Sequence, residues 1–547
     1  MNHAVRTPLV SLLLGTALAS AASAQGYLTP PVAPPENPVT AEKAVLGKIL
    51  FWDEQLSSDG SMACGTCHIP SVGGAELRSG PATRFPGPDG VFGTADDGFG
   101  SPGVVNTDGF GHFEPSALFG LEPQVTGRYA PSPITAGYFQ DLFWDGRATS
   151  KFTDPLTGAT AIASGGALES QSLGPLLSDV EMAEPARGFA DLSARIADAR
   201  PLALATDLPQ DVQVALQSHP TYPDLFTQAF GTADITPVRI AFALATYQRT
   251  LVADQTPWDD FQRGVPGALT AQQQRGMVAF ETTAACAVCH TPPLFANNNY
   301  HALALRPSSE DIGRAAVTGY PWDEGKFKTP SLRNVALRNH WFHNGAPQMQ
   351  DLRDTVAIYG TGVGGGFDNL DPVLNGLIIP PAEVDDITEF LHALTDPRVA
   401  AETYPFDRPT LRFERAVPNP EPTGLGAVAG SGGTAPELIL TPAPFLGSGN
   451  FRVGVTGGLG GAFGAMRLRV LDLGGFPAAL GVRTLPLPGG PIVLDGVGPG
   501  EGYATWSFPL TTTPELLGLK LEGQWWVRDA AAPGGVARSE RFVMTVE

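Results

Sequence analysis

Three features of the sequence predict a mainly α chain of two similar helical units, followed by a C-terminal all-β sandwich-like domain. Two stretches of helical periodicity each run into a C-x-x-C-H motif, at Cys64–His68 and at Cys286–His290. A long wrapping segment follows each motif, so the two halves read as the same unit twice. Beyond residue 436 the pattern changes to short alternating apolar runs broken by Gly and Pro, as in antiparallel strands joined by turns.

Taken in order, residues 1–24 read as a secretory leader. Arg6 supplies the positive start, Leu9 to Leu18 a short apolar stretch, and Ala22-Ser23-Ala24 a cleavage site. The Pro-rich run Pro30 to Pro38 is extended. A helix is expected from Thr40 to Phe51, with Val45, Leu46, Ile49 and Leu50 on its dry side and Glu42, Lys43 and Lys48 on its wet side. Residues 73–136 are loop-rich. Further helices are expected at Phe189–Ala199, Pro237–Val252, Thr270–Phe280 and Glu383–Leu394. Gly424–Thr434 has linker composition. The runs Glu437–Thr441, Phe451–Val455, Met466–Val470 and Phe542–Val546 are strands. With no cysteine or histidine, that tail is expected to carry no chemistry.

At 547 residues the chain exceeds one core. Its formal charge of −21 and the absence of any basic run argue against nucleic acid as a partner. No segment after the leader has the ~20 uninterrupted apolar residues of a membrane span. The acidity serves solubility, or attraction toward a basic electron-donor protein. A periplasmic or secreted location follows from the leader.

All four cysteines fall in the two motifs. Each pair has the spacing that lets two thiols add to two vinyl groups of haem, and it carries the next histidine beneath the iron. A zinc site would have to join pairs more than 200 residues apart, and a simple disulfide leaves both histidines unexplained. Two covalently bound c-type haems are expected, on Cys64, Cys67 and His68 and on Cys286, Cys289 and His290. The units then become two cytochrome c-like haem domains packed face to face. The expected division is a leader at 1–24, haem domains at 25–235 and 236–412, a linker at 413–435, and a β-sandwich-like domain at 436–547.

The words around the motifs resemble the di-haem cytochrome c peroxidase and MauG superfamily. They are Leu46-Gly-Lys-Ile-Leu-Phe-Trp-Asp-Glu-Gln-Leu-Ser57, Phe143-Trp-Asp-Gly-Arg-Ala148, Gln171 with Glu181-Met182, Phe327-Lys-Thr-Pro-Ser-Leu-Arg-Asn334 and Trp341-Phe-His-Asn-Gly345. The resemblance covers about residues 38–410 and leaves out the tail. It implies a peroxidatic haem on His68 and an electron-transfer haem on His290. It also implies Glu181 as the acid–base group on hydrogen peroxide, Gln171 as its positioning partner, and Trp144 as a relay between the haems. The plainer readings are a surface acid for Glu181 and a core side chain for Trp144.

Three departures from the family matter. Arg84 stands where members needing reductive activation have a histidine that caps the first iron, so this iron is expected to be open; His112 is a substitute ligand or simply a loop histidine. Tyr359 falls where the peroxidases place a methionine on the second iron, as in MauG, with Met349 as the competing ligand. Tyr129 replaces an asparagine of the family's calcium site, although Asp89, Asp96 and Asp97 have the spacing of a calcium loop as well as of a surface turn. The leading expectation is a peroxidase reducing hydrogen peroxide with electrons from a small cytochrome c or cupredoxin. The alternatives are a MauG-like enzyme oxidising side chains of a partner protein, and a non-catalytic electron-transfer cytochrome.

Overall fold

The computed structural model describes residues 28–361, 363, 367, 369–449, 451–472 and 490–547. The leader expected over 1–24 lies outside the described residues.

The first unit is organised by two crossing helices. Helix Ala41–Trp52 begins at Thr40, whose side chain accepts from Lys43 N–H, and it buries Leu46, Ile49 and Leu50. It crosses helix Pro237–Thr250 at Gly47, where a Cβ would lie 1.9 Å from the Ala243 carbonyl oxygen. The backbones therefore touch, and only glycine fits. The second unit repeats the device. Helix Ala271–Glu281 crosses helix Pro381–His392 at Gly276, where a Cβ would lie 1.8 Å from the Asp386 carbonyl. In both units the helix that leads into the C-x-x-C-H motif makes this crossing.

Two details differ from the sequence reading. Lys43 and Lys48 are buried, because their heads reach acceptors brought in from elsewhere: Asn37 and Pro38 for Lys43, Asp211 and Asp407 for Lys48. Helix Pro237–Thr250, assigned above to the 236–412 unit, packs in the first core with Leu46, Leu50 and Phe226; the second core begins at Trp258.

The two units also share a backbone motif at a spacing of 199 residues. Pro131-Ser132 matches Pro330-Ser331, Phe143 matches Phe342, and Gly146 matches Gly345. Thr135 and Asn334 both have φ 63°, while Phe143 and Phe342 have φ 65° and 60°. The units touch through this motif reciprocally. Tyr129 N–H donates to the His343 carbonyl at 2.7 Å, and Lys328 N–H, at the matching position, donates to the Trp144 carbonyl at 2.8 Å.

The tail is built of antiparallel strands. One sheet runs in the order Ile492–Val493, Phe463–Asp472, Lys520–Arg528, Val536–Thr545 and Glu421–Pro422. The other runs Glu437–Ile439, Phe451–Gly460 and Gly498–Phe508. Phe451, Val453 and Trp506 of the second sheet share one apolar core with Leu468, Trp525 and Phe542 of the first. The expected linker over 413–435 lies along this domain. Its residues Glu421–Pro422 form an edge strand, and Val428 N–H donates to Arg538 O.

Candidate haem sites and active site

The first motif forms a single helical turn, Cys64–Cys67, closed by Thr66 Oγ1 accepting from Ala63 N–H. Gly65 lets the turn lie flat on the Trp52 indole, where a Cβ would come within 2.1 Å of the ring. His68 Nδ1 lies 3.2 Å from the Gly74 carbonyl. A carbonyl only accepts, so Nδ1 carries the hydrogen and Nε2 keeps its lone pair for a metal. His290 repeats this, with Nδ1 3.0 Å from Phe295 O. Burial keeps both rings neutral, His290 at about 4.

The four cysteines are unpaired thiols. Burial pushes Cys64 up to about 12, Cys67 higher, Cys286 to about 12 and Cys289 to about 11. Neutral thiols beside a ligating histidine suit addition to vinyl groups better than a thiolate metal centre. Among the described residues no group of three or more His, Cys, Asp or Glu is arranged to hold a metal ion.

Each motif opens on a cavity. That of the first, about 740 Å³, is lined by Cys64, Cys67 and His68 together with Gln171, Glu181 and Arg147. The second, about 270 Å³, is lined by Cys286, Cys289, His290 and Tyr359. Trp144 lines both and is buried, its indole N–H donating to Tyr129 O at 2.8 Å. Two cations, the buried Lys328 and the half-buried Arg338, also border both cavities. Among the described residues neither has an ion pair; Arg338 donates to the carbonyls of Ala130 and His340. The carboxylates of a bound haem would complete them. The donor set, the thiols and these cations all fit covalently held haem.

Glu181 sits on a loop whose backbone N–H donates to Ser178. Its carboxylate makes no hydrogen bond among the described residues. Burial raises its pKa, and the Arg147 guanidinium opposes the rise. Arg147 itself stacks over Phe143, 3.7 Å from the ring centroid, and pairs with Asp145 at 3.0 Å. Sequence reasoning named neither Arg147 nor Arg338, although Arg147 lay inside one of the quoted words.

The candidate iron ligands separate clearly. Tyr359 faces the second cavity, where burial and the neighbouring thiols raise its phenol, whereas Met349 packs in the apolar core off the cavity wall. Arg84 turns to Asp97 at 3.2 Å. His112 is 56% exposed, paired with Asp108, and His68 is the only histidine on the first cavity's wall among the described residues. The carboxylates weighed for calcium accept hydrogen bonds from nearby residues. Asp96 accepts from Asp89 N–H and Thr94, Asp97 accepts from Gly93 N–H and Arg84, and Tyr129 fills its place by hydrogen-bonding Glu76 O and Asn339.

Between the cavities Arg128 clamps the two units, reaching Asp145 at 2.6 Å and Asp311 at 2.7 Å. Two C-x-x-C-H sites on repeated helical units, with one tryptophan bordering both, define a two-haem c-type redox protein.

Comparison with known proteins narrows the class. Residues 41–266 match the family described as di-haem cytochrome c peroxidase. The chain is 28% identical over 456 residues to cytochrome-c peroxidase IdrP1 of Pseudomonas sp. (strain SCT), covering 76% of this chain and 98% of that one. It is 29% identical to cytochrome c551 peroxidase of Pseudomonas aeruginosa, over 66% and 82% of the two chains. Against methylamine utilization protein MauG of Methylophilus methylotrophus it is also 29% identical, over 60% and 75%. A crystal structure of a MauG-like protein associated with microbial copper homeostasis has the same fold, with a TM-score of 0.50 at 23% identity over 70% of this chain and 96% of that one. Residues 41–266 carry the pattern of the di-haem cytochrome c peroxidase family, and the chain is similar to cytochrome c peroxidases and to MauG, oxidoreductases of that type.

Proposed function

We propose that the chain is an exported two-haem peroxidase that reduces hydrogen peroxide to water at the His68 site. Its electrons would come from a small cytochrome c or cupredoxin, entering through the His290 site. The reading rests on one observation above others: the Glu181 carboxylate, without a hydrogen bond among the described residues, lines the same cavity as His68 and Gln171. A base with its lone pairs uncommitted, in an acid-raising environment, suits proton transfer at the operating pH.

Haem held by Cys64, Cys67 and His68 would supply an iron that accepts a peroxide oxygen and delivers electrons to it. Glu181 takes the proton from the near oxygen and returns it to the far one, so that the far oxygen leaves as water. Gln171 holds the peroxide by its amide. Two electrons and two protons per peroxide yield two waters. Trp144, bordering both cavities, passes the electrons between the sites. The reciprocal Tyr129–His343 and Lys328–Trp144 bonds support two haem domains facing one another. We place their division between Leu251 and Trp258, with the β domain following and taking its edge strand Glu421–Pro422 from the expected linker. The expected leader supports export, and among the described residues no helix is long and apolar enough to cross a membrane.

One observation favours a MauG-like variant of this function, in which a partner protein's side chain is the reductant: Tyr359, not Met349, faces the second cavity.

The test is Glu181→Gln at unchanged haem content. Peroxide turnover is expected to fall by about 10²- to 10⁴-fold. Wild-type turnover in this variant would overturn the proposal.

A further inference from the structure

Among the described residues the Glu181 side chain has no hydrogen bond or ion pair to fix it, so its position is set by the loop it stands on. That loop is tied on both sides. Val104 N–H donates to Val180 O at 3.1 Å, Ser58 N–H to Met182 O at 2.8 Å, and Glu184 N–H to Ser58 Oγ at 2.9 Å. The C-terminal domain reaches the same place from outside. Arg452, on strand Phe451–Gly460, is 2% exposed, and its Nη1 lies 2.9 Å from Glu184 Oε2. Ala443 N–H donates to Asp59 O at 3.0 Å, gripping the residue after Ser58. The fit alongside is tight. Phe113 N–H donates to Thr505 Oγ1 at 2.7 Å, and a Cβ on Gly454 would lie 2.6 Å from the Phe113 ring. A β sandwich does not need a buried arginine for its own packing; burying one costs stability unless an acceptor is supplied. Here the first haem unit supplies it, three residues from Glu181.

We propose that the β domain braces the peroxide side of the first cavity, with Arg452 and Glu184 as positioning residues for Glu181. The inference rests on the catalytic reading of Glu181 given above. It assigns the tail a role in the enzyme's own chemistry although it carries no cysteine or histidine.

The experiment uses the full-length holoprotein in four variants: Arg452→Met, Arg452→Lys, Glu184→Gln and, as reference, Glu181→Gln. Hydrogen exchange over 178–184 is measured beside kcat and KM for peroxide. In Arg452→Met the 178–184 amides are expected to exchange faster while those of 286–295 do not change. Its kcat should fall by about ten- to a hundredfold, the size of effect a small misplacement of a catalytic group produces. Arg452→Lys keeps the charge and is expected to restore most of both. If Arg452→Met does not fold, Glu184→Gln, which removes only the charge of the partly exposed member, carries the test by the same two readouts. Wild-type exchange and kcat in Arg452→Met and Glu184→Gln, in a protein that Glu181→Gln disables, would overturn the brace alone. Wild-type turnover in Glu181→Gln would instead overturn the reading on which the brace depends.

Discussion

In the proposed role Glu181 acts as a base only when ionised, so peroxide turnover is expected to acquire an acidic limb at the pKa of this carboxyl. Burial places that pKa above the ordinary glutamate value of 4.5, and Arg147 holds it down. The Cys64 and Cys67 thiols also face Glu181, and thioether formation leaves them without charge. Replacing Arg147 by Met removes a positive charge, which destabilises the carboxylate, raises its pKa and moves the limb to higher pH. The guanidinium is half exposed and therefore screened, so the displacement is expected to be small. A pH profile of kcat/KM for peroxide checks this; a limb that stays put, or moves to lower pH, contradicts it. At the second site the contrast is between Tyr359 and Met349. A phenolate stabilises oxidised iron and a thioether raises the potential. Tyr359→Met is therefore expected to raise the reduction potential of the His290 haem, while Met349→Leu leaves it near the wild-type value. Spectroelectrochemical titration distinguishes the two, and the reverse pattern would make Met349 the ligand.

Each haem unit depends on a helix crossing with no room for a methyl group. Gly47→Ala or Gly276→Ala must push apart two helices already in backbone contact, at a cost of about 1–3 kcal/mol and occasionally more. Thermal or denaturant unfolding measures it; an alanine variant as stable as wild type would show that the crossing relaxes freely. The helices themselves were legible in the sequence, because an apolar face of period 3.6 reports which residues go inside. The partner of a face was not legible. Helix Pro237–Thr250 has the periodicity of a core helix whichever unit owns it, and only the contact of Ala243 with Gly47 assigns it to the first. The same limit misplaced Lys43 and Lys48, which read as solvent-facing because their buried acceptors lie elsewhere in the chain. The two C-x-x-C-H motifs were legible because their pattern is local, and the structure sets a histidine and a cavity at each. Gln171, Glu181 and Trp144 could be nominated only through resemblance to other sequences, and the cavity walls bring them together. The repeat at 199 residues was present in plain text but diluted. What it conserves is the pair of left-handed residues and a glycine turn, backbone conformations that different side chains satisfy.

Across the whole molecule, the shared wall between the cavities is the feature through which the two sites become one enzyme. Trp144 borders both. Its carbonyl accepts from Lys328 across the interface, and its indole donates to Tyr129 within its own unit, so backbone and side chain are both fixed. Arg128 fastens the same interface by binding Asp145 from one unit and Asp311 from the other. If the indole relays electrons, removing it should leave each site intact and slow only the traffic between them. Trp144→Phe keeps a smaller aromatic ring and gives up the hydrogen bond to Tyr129 O. Haem content and the peroxide reaction of the first site are expected to persist. In stopped-flow experiments, reoxidation of the reduced His290 haem by peroxide, which reacts at the other site, should become slower. The fall belongs to the inter-site step if binding of a small exogenous ligand at the first haem keeps its wild-type rate. An inter-site rate unchanged in Trp144→Phe would place the electron path elsewhere along the shared wall, past Lys328 or Arg338, and leave Trp144 as packing between the two haem units.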